Sequence, residues 1–313
     1  MKRLPLVSLF VLLALAVGCA PSPATPMAPP SPTPEPIKVL PTSTPVPPPP
    51  TPTFTPAPTL AEKATPTGAT PTKAAPTQAT PTAAAPGKLQ VPMIAIPAGE
   101  FILGSDREIE RPSHKVSVPA FEIDQFEVTN EQLARFVKET AYKTTAEKTG
   151  DSMTWSTYAE GKPNNPVVKV SWNDAVAYCQ WMGKRLPTEA EWEKAARGTD
   201  GRIYPWGNEW ALGKANTKEA GYRGTTITGS LPGGASPYGV MDMAGNVAEW
   251  TSDWFQPYPG YPGGDSAAQF FGQKYRVIRG GGWFSDKEMV RTTNRSCSSV
   301  DLANDDVGFR CAR

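Results

Sequence analysis

Proline is spread so unevenly along this chain that the sequence divides itself before any element is assigned. Of its 36 prolines, 22 fall between Pro21 and Pro86, while all nine tryptophans lie between Trp155 and Trp283. Segment 20–88 contains "PTSTPVPPPPTPTFTPAPT" and "ATPTGATPTKAAPTQATPTAAAP", a Thr-Pro and Ala-Pro low-complexity run. Proline fixes φ and removes a backbone donor, and almost nothing here is apolar enough to offset the entropy of ordering. A disordered Pro/Thr-rich tether is therefore expected. As polyproline II, at about 3.1 Å per residue, it would reach on the order of 100 to 200 Å. Its threonine density suits either a bare spacer or an O-glycosylated stalk.

Residues 1–19 have the layout of a targeting segment. "MKR" is a positive start, "LPLVSLFVLLALAV" an apolar stretch too short to span a bilayer comfortably, and "AVGC" the break. Small residues ending in Cys19 resemble a bacterial lipobox, which implies a signal peptide and a diacylglycerol on the Cys19 thiol. The alternative is a secretory peptide cut elsewhere. The lipoprotein reading puts the protein outside the cytoplasm, anchored to the cell membrane through Cys19. Formal charge is +1, from 31 basic and 30 acidic residues, with no long run of one sign. No nucleic-acid partner is expected from such a balance.

The rest, 89–313, is long enough for a real core. Three helices announce themselves by their caps. Thr129 precedes "NEQLARFVKET" with Gln132 three positions on; Ser171 precedes "WNDAVAYCQWM" with Asp174; Thr188 precedes "EAEWEKAARG" with Glu191. In each, the hydroxyl can take an orphan amide while the third residue reaches back. Gly183 and Gly198 are placed to stop the second and third. "MIAIPAGEFILGS", "HKVSVPAFEIDQFEVT" and "YRVIRGGGWF" read as strands between Gly and Pro breaks. The stretch from Gly201 to Gly239 has no regular period and is expected to be an irregular, packed loop system.

At these residues the chain resembles a known family. "MIAIPAGEFILGSD", "FEIDQFEVTNEQLARFV", "PVVKVSWNDAVAYCQWMGKRLPTEAEWEKAARG", "YPWGN", "YGVMDMAGNVAEWTSDW" and the closing "DVGFRCAR" resemble the formylglycine-generating enzyme or sulfatase-modifying factor domains. The resemblance covers essentially all of 89–313. It implies an α+β fold, the formylglycine-generating-enzyme type variant of the C-type-lectin-like fold, with much irregular structure.

The enzymes that name the family oxidise a cysteine of a CxPxR-type motif with oxygen and Cu(I) held by two thiolates, ligands whose softness suits that ion. On that pattern the first copper cysteine corresponds to Ser285, after "GGGWF", and the next segment, "DKEMVRTT", contains no cysteine. The serine of the usual lead-in is Gly282, and a frequent tryptophan is Ala248. A serine hydroxyl is hard and stays protonated, so copper is not expected. A second branch of the family resembles sulfoxide synthases with iron on three histidines; this chain has one, His114, so iron is not expected either. His114, in "RPSHKVSV", reads as a strand-edge structural residue.

The resemblance also implies a disulfide between Cys179 and Cys311, which an oxidising location would support. Cys297 is left over, either unpaired and inert or reactive. The positions of a family calcium site are matched by Asp242, the carbonyls of Gly245 and Val247, and Glu249, hard oxygens of the kind calcium prefers. The alternative is a turn in which Glu249 caps local amides. A second, weaker set would use Asn216, the carbonyls of Thr217 and Tyr222, and Glu219 in place of the usual carboxylate. Either ion would be structural.

Two functions remain open at this stage. One is a binding or scaffolding module without oxidase activity, holding a peptide, glycan or cell-wall ligand in the groove that binds peptide in active relatives. Aromatic faces for it would come from "WGNEW" and "WFQPYPGYPGGD". The other is an oxidase of the formylglycine-generating type with an atypical site, acting on a protein or peptide cysteine. Acid-base chemistry would have to use Asp286, Glu288, Asp305 or Asp306, carboxylates that are ordinarily solvated charges near a loop.

Overall fold

The computed structural model describes residues 90–313. The expected signal peptide, Cys19 and the expected Pro-rich tether lie outside the described residues.

Three of the five helices begin where the caps predict. α1 (Asn130–Thr140), α4 (Trp172–Trp181) and α5 (Glu189–Arg197) each carry a full capping box, formed by Thr129 and Gln132, Ser171 and Asp174, and Thr188 and Glu191. Two further single-turn helices, α2 (Thr145–Thr149) and α3 (Trp155–Ala159), escape a periodicity search because five residues show no period. Yet α2 repeats the box signature, with Thr144 and Glu147. Gly183 and Gly198 follow α4 and α5 at positive φ, as expected.

The strands form three small sheets. β1 (Met93–Ile96) pairs antiparallel with β4 (Phe121–Asp124), and β2 (Gly99–Leu103) with β3 (His114–Val118). His114 opens β3, its ring edge-on to Tyr258 at 5.0 Å and its Nδ1 2.9 Å from the Pro112 carbonyl, the structural role expected of it. A four-stranded sheet has the order β7-β6-β5-β8, built from β5 (Ala248–Trp254), β6 (Tyr275–Arg279), β7 (Arg295–Ser299) and β8 (Val307–Gly308), with β8 parallel to β5. Within 201–239 no α-helix or strand forms; short 3-10 turns at Lys218–Ala220 and Pro232–Gly234 are its regular structure.

Two apolar clusters hold these pieces together. One gathers Leu133, Phe136, Tyr178, Trp250 and Phe309 between α1, α4 and the four-stranded sheet; the other gathers Ile96, Phe101, Ile123, Trp192 and Met243 around α5. Trp192 and Trp250 are wholly buried, and truncating such a ring typically costs about 3 to 5 kcal/mol. Cys179 of α4 and Cys311 are joined in a disulfide spanning 132 positions, Cα to Cα 5.7 Å, which ties the C-terminal segment to the helix. That segment continues alongside β4, where Glu122 and Arg313 exchange backbone hydrogen bonds of 2.9 and 2.8 Å.

Much of the remaining core is ionic. Arg279 reaches Glu193 and Glu189 of α5; Arg295 reaches Glu189 at 2.7 Å; Arg310 reaches Glu249 at 2.6 Å. These side chains are between 0% and 7% exposed, so each guanidinium replaces the water its carboxylate has lost. The pairs run between α5, β5, β6, β7 and the C-terminal segment, and they position the turn that follows β6.

Candidate functional site

That turn, Arg279–Gly282, is the floor of the site. Arg279 anchors its start, donating also to the Thr292 and Thr293 carbonyls at 2.7 and 3.1 Å. Gly280 and Gly281 follow at φ +87° and +67°. A Cβ on Gly280 would come 3.0 Å from the Trp192 ring, so neither conformation nor space admits a side chain there.

Above Gly281 two side chains converge. A Cβ at that position would lie 3.0 Å from Val290 Cγ1 and 3.1 Å from both Cβ and Oγ of Ser285. Ser285 is 3% exposed; its hydroxyl accepts the Gly282 N–H at 3.1 Å and its carbonyl accepts the Lys218 N–H at 3.0 Å. Val290 is wholly buried against Tyr204, Ala215 and Ala244. The two groups beside that point are a hydroxyl and an isopropyl group, and neither is a soft ligand of the kind Cu(I) takes. Reading the sequence identified Ser285 but missed Val290. The spacing from Ser285 alone could not distinguish Val290 from its neighbours Met289 and Arg291.

The loop carrying both residues is pinned from several sides. Arg291 makes a bidentate pair with buried Glu110 at 2.9 and 2.6 Å, and the Thr292 N–H reaches the Ile203 carbonyl at 2.8 Å. Trp206 and Trp210 of "WGNEW" pack beside Val290, with Trp206 stacked on Tyr204 at 5.2 Å and Trp210 edge-on to it. Phe284, Met289 and Leu212 are exposed. The other aromatic segment does not join it. Of "WFQPYPGYPGGD", Phe255 and Tyr258 are buried in the core, while Trp254 lies 3.4 Å over the Arg276 guanidinium, which Trp172 covers from the other side at 4.0 Å. Phe255 and Tyr258 of that segment therefore serve core packing.

The four candidate acid-base carboxylates separate. Asp286 accepts the N–H groups of Glu288 and Met289 at 2.9 and 3.1 Å, and Glu288 forms a surface pair with Arg107. Asp305 is half-buried beside Asp306. Asp306 alone reaches the floor, next to Gly282. Cys297, in β7, is half-buried, and burial pushes its thiol up to about 11, so it is protonated at neutral pH and a poor nucleophile.

The two calcium sets fare differently. Both oxygens of Glu249 are taken: Arg310 donates from Nη2 and Nε at 2.6 and 2.7 Å, and the Trp192 indole donates at 2.9 Å. Glu249 therefore caps no local amide; its partners are remote in sequence. Asp242, at φ +57°, accepts the Gly229 N–H at 2.6 Å, and burial holds its carboxyl above the usual range. Gly245 and Val247 lie on the turn into β5. In the other set, Asn216 is 2% exposed and its amide nitrogen donates to the Gly224 carbonyl at 2.9 Å, while its Oδ1 is buried without a partner. The Thr217 carbonyl accepts one hydrogen bond from Ala220, Glu219 receives the Lys287 N–H at 2.9 Å, and Tyr222 is half-exposed. An orphaned amide oxygen on a loop of carbonyls and a carboxylate fits a hard cation. The weaker set by sequence is thus the one with an oxygen to spare, and the stronger has spent Glu249 on Arg310.

Five helices, three small sheets and a long irregular segment around a glycine turn define an α+β domain of the C-type-lectin-like kind. A sulfatase-modifying factor enzyme 1-like domain matches residues 78–313, and the chain belongs to that family. It is 35% identical over 282 residues to the inactive C-alpha-formylglycine-generating enzyme 2 of Mus musculus, covering 72% of this chain and 87% of that one. It is 36% identical over 280 residues to the formylglycine-generating enzyme of Streptomyces coelicolor, covering 70% and 88%. Among solved structures, PvdO from Pseudomonas aeruginosa superposes with a TM-score of 0.59 at 31% identity, covering 71% of this chain and 93% of its own.

Proposed function

We propose that this protein is a non-oxidase binding module, a formylglycine-generating-enzyme-type domain carried outside the cytoplasm on a Pro/Thr tether and anchored through lipid on Cys19. The observation that carries this reading is the pair over Gly281, Ser285 and Val290, where copper chemistry would need two thiolates. Neither offers a soft donor, and the one thiol nearby in sequence, Cys297, is protonated. A relative of the same identity level is itself called inactive, which agrees with a fold retained after its oxidase chemistry was lost.

A peptide is the ligand this reading favours, with Trp206 and Trp210, which pack against the cluster that contains Val290, offering aromatic faces. Calcium here would be structural: Asn216 Oδ1, the Thr217 and Tyr222 carbonyls and Glu219 would hold it and tie down the irregular segment, with Asp242, the Gly245 and Val247 carbonyls and Glu249 as the other candidate set.

The test is mass spectrometry of a CxPxR peptide incubated with the full chain, Cu(I), reductant and oxygen. The cysteine should remain unmodified. Conversion to formylglycine would overturn the reading.

A further inference from the structure

We propose that the open edge of β7 is a docking site for an extended peptide segment of a partner protein, which pairs antiparallel with this strand and places one large apolar side chain in the cavity beside Cys297. The inference goes beyond the reading above and does not depend on the metal question at Gly281.

The four-stranded sheet ends differently at its two sides. At β8 the chain itself closes the edge: the Lys169 N–H donates to the Asn304 carbonyl at 2.8 Å, and a Cβ on Gly308 would come 2.6 Å from the Val167 carbonyl oxygen. β7 forms the other edge and has β6 as its one strand neighbour among the described residues. In β6 the Tyr275 carbonyl accepts the Phe255 N–H and the Val277 carbonyl accepts Thr251 Oγ1, so both point to the β5 side. Along an antiparallel strand the N–H and C=O of one residue share a side, and the side alternates, so Arg276 and Ile278 turn theirs to β7. Their register partners, Ser298 and Ser296, commit their own groups to that pairing. Cys297 lies between them and directs its N–H and C=O outward, where neither meets a backbone partner among the described residues.

A row of unpaired backbone groups is complementary to an extended chain, and a pocket next to it selects the side chains that chain can carry. Such a pocket is present. A cavity of about 230 Å³ borders β7, lined by Ile109, Phe255, Ala267, Phe270, Tyr275 and the Cys297 side chain. Arg295 also borders it, but its guanidinium is paired with Glu189, so the wall offers no unpaired charge. An apolar cavity of roughly 150 Å³ already takes a benzene-sized molecule, so this one has room for a single phenylalanine or leucine side chain. In a strand added antiparallel, the residue opposite Cys297 exchanges two hydrogen bonds with it and points its side chain to the same face. That is the face on which the cavity opens. The edge and the cavity thus converge on one position of the bound peptide, where a charged side chain would lose its water and find no counter-ion.

The experiment is a titration of the 15N-labelled full chain with acetylated Thr-Val-Phe-Val-Thr amide, following the Ser296, Cys297 and Ser298 amide signals. The peptide should move these signals saturably. Replacing its phenylalanine with alanine should weaken binding about tenfold or more, the effect of burying one aromatic side chain. Methylating the phenylalanine nitrogen removes the donor to the Cys297 carbonyl and should weaken binding about tenfold, whereas methylating either valine nitrogen, which faces away from β7, should be tolerated. Ala267→Leu narrows the cavity and should reduce affinity for the phenylalanine peptide more than for the alanine peptide. Equal binding of the phenylalanine-methylated and unmethylated peptides, or no movement of the β7 signals at saturating peptide, overturns the proposal. Sedimentation of the peptide-free chain as a dimer, with its Cys297 amide already protected from hydrogen exchange, gives the edge to a second copy and overturns it as well.

Discussion

Ser285 and Val290 bring their side chains to a common point above Gly281, each within about 3 Å of where a Cβ would sit. This convergence is fixed by the turn after β6 and by the Arg291–Glu110 pair immediately after Val290. Both side chains thus border the same point over Gly281, which makes them the pair to test as ligands. The double variant Ser285→Cys/Val290→Cys should bind one Cu(I) per chain in competition with a chromophoric chelator, whereas either single variant should not compete. A double variant that fails to bind while remaining folded would mean that the two positions do not face each other.

The Arg310–Glu249 pair predicts a stability effect. Both side chains are 0% exposed, and Arg310 also donates to the carbonyls of Asp124, Gln125 and Met241. Glu249→Gln leaves a buried guanidinium without its counter-ion and should cost about 3 to 5 kcal/mol in denaturant unfolding. A loss below about 1 kcal/mol would show that the pair is easily replaced.

Asp306 carries a pH signature. Its folded-state pKa, raised to about 6 from 3.8, means that the folded chain holds this proton more tightly than the unfolded chain. The group therefore lowers stability progressively as pH rises through the window between those values, and the penalty is complete above it. Asp306→Asn should be more stable than the native chain at about pH 7 by on the order of 1 to 2 kcal/mol, discounted for partial exposure, with the gap closing near pH 4. A gap that does not change with pH would mean the carboxyl is not shifted.

Asn216 gives a calcium test that separates the two candidate sets. At a hundredfold excess over its Kd, an ion that binds only the folded chain adds about 2.7 kcal/mol. Calcium should raise the Tm, chelator should reverse the rise, and Asn216→Ala should abolish it more completely than Asp242→Ala. The opposite order would return the ion to the turn before β5.

What could be read in the sequence was local. The capping boxes at Thr129, Ser171 and Thr188 were legible because donor and acceptor lie within four residues, and the strands β1 to β4 because apolar residues alternate between Gly and Pro breaks. β7, "RSCSS", was not legible. Its polar residues make no strand pattern, and Arg295 is buried only because Glu189, far away in the chain, neutralises it. β8 is two residues long and exists through its pairing with β5. The missing thiolate at Ser285 was visible; its neighbour over Gly281 was not.

By itself, then, the amino-acid order determined the division into a Pro-rich segment and a folded domain, the helix starts, and the shortage of thiol and imidazole ligands, since composition and short-range hydrogen bonding settle these. Tertiary structure decided that Val290 completes the Ser285 site, that Glu249 belongs to Arg310, that Asn216 keeps a free oxygen, and that Asp306 stands unpaired at Gly282. Each of these depends on which distant charge or side chain arrives to fill a desolvated position, and no local pattern encodes that.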